Sequence, residues 1–562
     1  MSYKLYFIML VSLIACQNEK ATLILYHGQI LTMDSTFRVV QAIAIQGNKI
    51  LEVGSSSDIT QKYYHEQCEM IDLQGKFAMP GLIEGHGHYL SMGKSLYELD
   101  LLHTASWSEV LDSVQNKVQN TPKGEWIFGR GWHQEKWNDS LLYTVQGYPT
   151  NKGLDRIAPE HPVLLIHASG HALIANRKAM EHLSMDAPDP AGGRILRDDM
   201  GNAVGIFEEN AMTLIKGEYN AYLNDQSTQR KDSLWRNYVK MAEAACLKYG
   251  ITSFQDAGSS LYEIDQYVKY QRDTGFQIRL SVMLNDELRE IAHHIDKFPI
   301  DTKNDHFKCS AIKAYADGAL GSRGAWLLKP YNDQPNYTGQ QVTSPDTLTS
   351  LARLAAQNQL QFCVHGIGDR ANRSILDIVE KLENEGQLRN DHRWRIEHAQ
   401  HIDPLDIPRF AQLGVIASVQ TRHCTSDAPY VEERLGAVRA REGAYVWRSL
   451  LDAGAQIANG TDVPVEEINP FVNMYAAITR KSHPAGDAFF PKQCMTREEA
   501  LKSYTIWNAY ANFEEKIKGS LEPGKLADIV VTDQNLLTCR DKDLLHTKAL
   551  ITIVDGKIVY RR

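Results

Sequence analysis

Pro80-Gly81-Leu82-Ile83-Glu84-Gly85-His86-Gly87-His88 sets the terms for the rest of the chain. Its apolar start has the character of a buried strand, and side chains alternate faces along a strand, so His86 and His88 project to one side with only Gly87 between them. Two imidazoles on one face either share a metal ion or pack as a pair of core histidines, and the motif alone admits both readings.

Seven more strand-like runs follow. They end at Asp256, near Leu284, across Lys313 to Asp317, at His365, at His398, at Gln420 and at Asp462. Most are separated by segments long enough for a helix, which is the pattern of a (β/α)8 TIM barrel. The spacings agree with a strand-plus-crossover unit of ~30 residues: His365 to His398 is 33 residues and His398 to Asp462 is 64. From His88 to Asp256 is 168 residues, so the first crossover carries a large insertion, placed at 106–232 and expected to cap the barrel mouth. His86, His88, Lys313, His365, His398 and Asp462 then all fall at the C-terminal ends of strands, where barrels of this kind build their active sites.

Outside the barrel, short β-like runs surround tight turns. Leu23 to Tyr26 and Gln29 to Met33 flank His27-Gly28, and Ala42 to Ile45 and Lys49 to Val53 flank Gln46-Gly47-Asn48, which reads as two hairpins. Near the far end, Leu550 to Val554 and Lys557 to Tyr560 flank Asp555-Gly556, a strong hairpin signal. Isolated hairpins are marginal in water, so the economical arrangement joins both chain ends in one small β-sandwich; two unrelated appendages are the alternative. The domain plan is a leader at 1–20, sandwich segments at 21–80 and 516–562, and a barrel from 81–105 and 233–515 around the insertion. Thr496 to Asn512 reads as a scaffold helix opened by a Thr496-x-x-Glu499 capping box.

At 562 residues, 43% hydrophobic and 23% charged, the chain has ordinary globular composition. Its net charge of -9, without a basic run, argues against a nucleic-acid groove. Lys4 precedes an apolar run from Leu5 to Ala15, too short to span a bilayer and suited to a signal-peptide core. The run ends in Leu13-Ile14-Ala15-Cys16, which resembles the lipobox of bacterial lipoproteins. That resemblance implies an exported protein anchored to a membrane by lipid on Cys16; a cytoplasmic protein with an apolar first strand is the other reading. The seven remaining cysteines are scattered without a C-x-x-C and read as reduced, mostly buried thiols.

The His86-x-His88, Lys313, His365, His398 and Asp462 set, in that strand order, resembles the metal centre of the amidohydrolase superfamily. Gly129-Arg130-Gly131-Trp132, Ser169-Gly170-His171-Ala172-Leu173, Ala316-Asp317-Gly318-Ala319-Leu320-Gly321-Ser322-Arg323, His365-Gly366-Ile367-Gly368-Asp369-Arg370, Ile396-Glu397-His398-Ala399-Gln400 and Gly519-Ser520-Leu521-Glu522-Pro523-Gly524-Lys525-Leu526-Ala527-Asp528 narrow it. Together they are similar to the amidohydrolase-3, or YtcJ-like, group, which includes the N-substituted formamide deformylases. One departure is Thr421, where relatives usually show proline.

The resemblance implies one or two divalent ions, zinc first, held by the four histidines, Asp462 and Lys313. Imidazoles suit zinc, whereas an ammonium cannot ligate, so Lys313 enters as a carboxylated bridge; a structural Lys313 paired with Asp317 is the alternative. Asp462 would ligate and shuttle a proton from the acidified water to a leaving amine, giving hydrolysis of a small-molecule amide. His171 and His423 are candidates for oxyanion contacts or for structural roles. Arg323 either binds a substrate carboxylate or is solvated, and Trp132 with Trp137 forms an apolar wall or packs in a core. A cyclic-amide or lactone hydrolase, a non-catalytic binding lipoprotein, and a homodimer remain compatible with the same residues.

Overall fold

A computed structural model describes residues 20–134, 137, 144–168, 170–184, 188–302 and 304–562. The apolar run, Cys16 and Ser169 lie outside the described residues. The chain divides into two compact units, one running to Gly87 and resuming at Cys246, the other His88–Ala245.

The first unit is built on eight strands: β1 (Leu82–Gly87), β2 (Ile251–Ser259), β3 (Arg279–Leu284), β4 (Phe307–Tyr315), β5 (Gln361–Gly366), β6 (Arg395–His398), β7 (Ile416–Val419) and β8 (Ile457–Asn459). Each pairs in parallel with the next, in chain order. β1, β3 and β6 to β8 are buried along their whole length, as expected for parallel strands covered on both faces.

The described residues carry no ladder between β8 and β1, and a side chain closes the seam instead. Asn508 Nδ2 donates to Ile83 O at 2.7 Å and to Asn459 O at 2.8 Å, while its Oδ1 accepts from the Asn459 amide at 2.9 Å. Gly85 makes this closeness feasible, because a Cβ there would lie 2.4 Å from Asn459 O. Asn508 sits on a helix that departs from the expected continuous one. Thr496 and Glu499 form the capping box, but the helix runs only Arg497–Ser503, and a second, Ile506–Ala511, follows. The break frees Tyr504 O to accept from the Ile83 amide at 2.8 Å, so strand pairing outcompetes the helical hydrogen bond.

The chain ends form two further sheets sharing one apolar cluster that includes Leu25, Ile43, Leu521, Ile529 and Ile553. One sheet has Leu23–Tyr26 between Ala42–Gln46 and Glu69–Asp72. The other joins Phe77–Pro80 to Ile529–Thr532, beside the hairpin of Ala549–Val554 and Lys557–Arg561. Ala42–Gln46 and Lys49–Gly54 form the expected hairpin. Leu23–Tyr26 and Gln29–Leu31 do not, because the chain changes sheet at His27 (φ 51°) and Gln29–Leu31 pairs with Val39–Val40 and Phe77–Pro80.

The second unit carries a six-stranded mixed sheet in the order Gly193–Arg197, Ala203–Glu209, Ala172–Ala175, Val163–His167, Ile127–Trp132, Leu99–Asp100. Its core gathers Val110, Ile127, Trp132, Val163 and Ile174. No helix of the described residues is long and apolar enough to cross a membrane. No disulfide joins the seven described cysteines, five of which are buried.

Candidate metal centre

His86 leaves β1 fully buried, with Nδ1 hydrogen-bonded to Glu397 Oε2. Glu397 and Arg395 alternate along β6 and so share its inward face, where they form a 2.7 Å ion pair. Arg395 also donates to Gly85 O at 2.8 Å and to Ser418 Oγ at 2.7 Å, tying β1, β6 and β7 together. Burial alone would push the Glu397 carboxyl up, but the charge of Arg395 and the contact with His86 outweigh it and hold it well below the usual range. An anionic Glu397 fixes the proton on His86 Nδ1, which leaves Nε2 with its lone pair, 3.4 Å from Asp462 Oδ1. Only glycine fits between His86 and His88, since a Cβ on Gly87 would meet Phe254 at 2.7 Å.

His398 ends β6 in a left-handed conformation, φ 76°, and Asp462 follows β8 in another, φ 58°. Such conformations cost on the order of 1 kcal/mol or more in a non-glycine residue and persist where the surroundings impose them. The imposing contact at Asp462 is its amide, which donates to His86 O at 2.7 Å. His398 Nδ1 donates to Gln420 Oε1 at 2.7 Å, so its Nε2 also keeps a lone pair. The His365 ring centre lies 4.4 Å from that of His398. Burial, reinforced by Lys313, lowers the His365 pKa to about 3; burial, reinforced by His365, holds His398 well below its usual value. Both are therefore neutral at physiological pH.

His86, His88 and Asp462 each present a donor atom within 4.8 Å of the others, and so do His398, His423 and Asp462. Asp462 is common to both groups, its Oδ1 toward His86 and its Oδ2 3.9 Å from His423 Nε2. His365 and Lys313 stand beside these groups without belonging to either. Lys313 is buried, its ammonium 4.9 Å over the Tyr315 ring, and burial lowers its pKa against the pull of Glu397 and Asp462. The Lys313–Asp317 pairing does not form. Asp317 instead accepts from the amides of Trp326, Ile367 and Gly368 at 2.8, 3.0 and 2.7 Å.

The remaining candidates are placed as follows. His423 is buried at the start of the helix Thr421–Leu435. Arg323 is engaged with Asp333 at 2.6 Å, an acid that Arg434 also holds. Trp132 is wholly buried in the second unit's core, donating from Nε1 to Leu165 O at 2.9 Å, which is the core placement of its two readings. His171 belongs to that unit too, 3.1 Å from Glu209. Residues to which sequence reasoning gave no role are Glu397, Arg395, Gln400 and Gln420. The signal available was the two-residue spacing of Arg395 and Glu397, which puts an acid and a base on one strand face next to His398.

Neutral imidazoles with Nε2 lone pairs, a carboxylate shared between two groups, and an anionic carboxylate behind His86 are the donor chemistry a divalent cation requires. The residues present fit such an ion.

The Amidohydro_3 profile, described as "Amidohydrolase family", matches residues 69–560. The putative amidohydrolase YtcJ of Bacillus subtilis is 28% identical over 96% of this chain and 99% of its own. The N-substituted formamide deformylase of Arthrobacter pascens is 25% identical over 97% of this chain and 99% of its own. A crystal structure of an uncharacterized metal-dependent hydrolase from Pyrococcus furiosus superposes with a TM-score of 0.72 at 26% identity, covering 92% of this chain and 100% of that one. With a parallel eight-stranded barrel, a histidine-rich centre at its strand ends and a family match across most of its length, the chain belongs to the amidohydrolase family of metal-dependent hydrolases.

Proposed function

We propose that this hydrolase cleaves a non-peptide C–N amide bond, of the kind found in an N-substituted formamide or a simple N-acyl amine. The observation that carries the proposal is the division of labour within Asp462, whose Oδ1 faces His86 and whose Oδ2 faces His423. A carboxylate arranged in this way serves a ligand set with one oxygen and keeps the other for proton transfer. The likeness to the Arthrobacter pascens deformylase supports the amide class.

A divalent ion, zinc by the nature of the donors, would be held by His86, His88, His365, His398 and Asp462, and when bound it supplies acidified water and a polarised carbonyl. Asp462 Oδ2 takes the proton of the attacking water as the C–O bond forms. It then delivers that proton to the departing nitrogen as the C–N bond breaks, which leaves a carboxylic acid and an amine. Glu397 and Gln420 hold the imidazole rings of His86 and His398 in place throughout. Lys313, buried and with a lowered pKa, is proposed to add CO2 through its neutral amine and release a proton, becoming an anionic carbamate among the ligands. On sequence grounds the protein is also proposed to be exported and lipid-anchored through Cys16.

The test is a screen of purified, metal-loaded protein against N-formyl, N-acyl and cyclic amides, with and without chelator. Turnover of an N-formyl or N-acyl amine that chelator abolishes is the expected result. Turnover confined to cyclic amides or lactones, or none at all, would overturn the amide assignment.

A further inference from the structure

His398 and His423 lie nearly parallel, ring centres 6.1 Å apart and planes 21° from each other, yet glutamine amides of opposite orientation hold them. Gln420 presents its oxygen to His398 Nδ1 at 2.7 Å. That orientation is enforced, because Gln420 Nε2 is committed to Ser418 O at 3.2 Å. Gln400 presents its nitrogen to His423 Nδ1 at 3.1 Å. An amide NH2 only donates, so in this arrangement His423 Nδ1 accepts, which places the ring proton on Nε2. Both glutamines and both histidines are buried, which shields the arrangement from competing water.

We infer that Gln400 and Gln420 set opposite tautomers on these two histidines, making His398 an Nε2 ligand and His423 an Nε2–H donor to the oxygen of the reacting carbonyl. His423 Nε2 is buried, has no hydrogen-bond acceptor, and stands 3.9 Å from Asp462 Oδ2 at the edge of the metal centre. A nitrogen that carries its proton cannot coordinate a cation, so His423 drops out of the second donor group although its distance alone would admit it. An N–H aimed at the site is what a developing oxyanion requires. Gln400 is then a positioning residue that acts through His423. The oxyanion role rests on the amide-hydrolysis reading; the tautomer assignment does not.

The test reads the ring nitrogens of His423 by nuclear magnetic resonance in the full-length protein with isotopically labelled histidine, the signals being assigned by their loss in His423→Gln. In the metal-free protein, Nδ1 of His423 should give the shift of an unprotonated nitrogen and Nε2 that of a protonated one, with the reverse at His398. Cadmium-loaded protein should show coupling from the metal to His398 and none to His423. Gln400→Glu, isosteric but accepting only, should move the His423 proton to Nδ1; Gln400→Met, which neither donates nor accepts, should give a mixture and serves if the buried carboxylate prevents folding. A proton on His423 Nδ1 in the wild type, cadmium coupling to His423, or unchanged shifts in both variants would overturn the inference. With a substrate in hand, His423→Phe should lower kcat by ~10²- to 10³-fold with KM little changed. Failure of the amide screen would leave the tautomer readout intact, so the two ideas fail separately.

Discussion

Glu397 Oε2 accepts a hydrogen bond from His86 Nδ1 at a depth where neither side chain touches solvent. The carboxylate is itself neutralised by Arg395, so a proposed ligand histidine, its orienting acid and that acid's counter-ion form one buried chain. Glu397→Gln keeps the volume but removes the charge. It should weaken metal binding by ~10- to 100-fold, the usual effect of losing such a partner. It should also cost roughly 3–5 kcal/mol of stability, because Arg395 is left without its acid. Chelator competition and thermal unfolding measure the two, and unaltered metal affinity would show that Glu397 does not govern the His86 ligand.

Asp462→Asn retains an oxygen that can face the metal but cannot carry a proton. Metal content should survive while kcat falls by ~10²- to 10⁴-fold, the range of general acid–base contributions. Lys313→Ala should behave differently, losing metal together with activity, and short carboxylic acids should restore part of both by filling the place of the carbamate. Metal stoichiometry and turnover measured side by side decide the matter. Full activity in the first variant defeats the proton shuttle, and full metal occupancy in the second defeats the carbamate.

Glu514 predicts how acid unfolds the barrel unit. Burial would raise its pKa, but Lys308 at 3.2 Å and Lys518 at 2.8 Å reverse the sign and bring it down to about 2 from an ordinary 4.5. A depressed folded-state pKa means stability that is fully present above pH 4.5 and drains away as pH falls toward 2. The shift corresponds to roughly 3 kcal/mol. Glu514→Gln should therefore lower Tm at neutral pH and flatten its decline across that acid window. Parallel Tm profiles of the two proteins would refute this if they differed by a constant offset.

Much of the barrel was legible because its candidate ligands sit on strand ends at crossover spacing, so that His365 and His398 mark the ends of their strands. The supporting contacts were not, because they join residues remote in sequence. Nothing local says that Asp317 will accept one amide from its own loop and two from the loop after β5 rather than pair with Lys313, four residues back. Nothing in Thr496 to Asn512 says that Ile83 will claim the carbonyl of Tyr504 and break the helix. The alternation of Arg395 and Glu397 was readable, yet a strand that pairs an acid with a base on its inward face needs the barrel closed before that face has meaning.

The Leu13-Ile14-Ala15-Cys16 ending predicts where the protein resides. A single acyl chain binds membranes only marginally, so stable anchoring needs the several chains a lipoprotein cysteine carries. Wild-type protein should sediment with membranes and Cys16→Ser should not. Identical fractionation of the two would remove the lipoprotein assignment.

Asn508 offers the sharpest test of how the barrel closes. Strands β1 and β8 meet without a ladder among the described residues, and the Asn508 amide satisfies Ile83 O, Asn459 O and the Asn459 amide from a helix that the chain reaches only after completing the barrel. Asn508→Leu preserves volume but strands these three buried backbone groups. At 1–3 kcal/mol for each unsatisfied group, the loss should be at least ~3 kcal/mol, read as a lower urea midpoint. The damage should also be local. Exchange of the Asn459 amide should accelerate well beyond that of Ile312, whose strand β4 is laddered to β3 and β5. Two of the candidate ligands flank this seam, His86 on β1 and Asp462 just beyond β8, joined by the 2.7 Å hydrogen bond between their backbones. Metal affinity should therefore fall with stability. A variant that unfolds earlier yet binds metal as tightly as wild type would mean that the Asp462 amide alone registers the two strands.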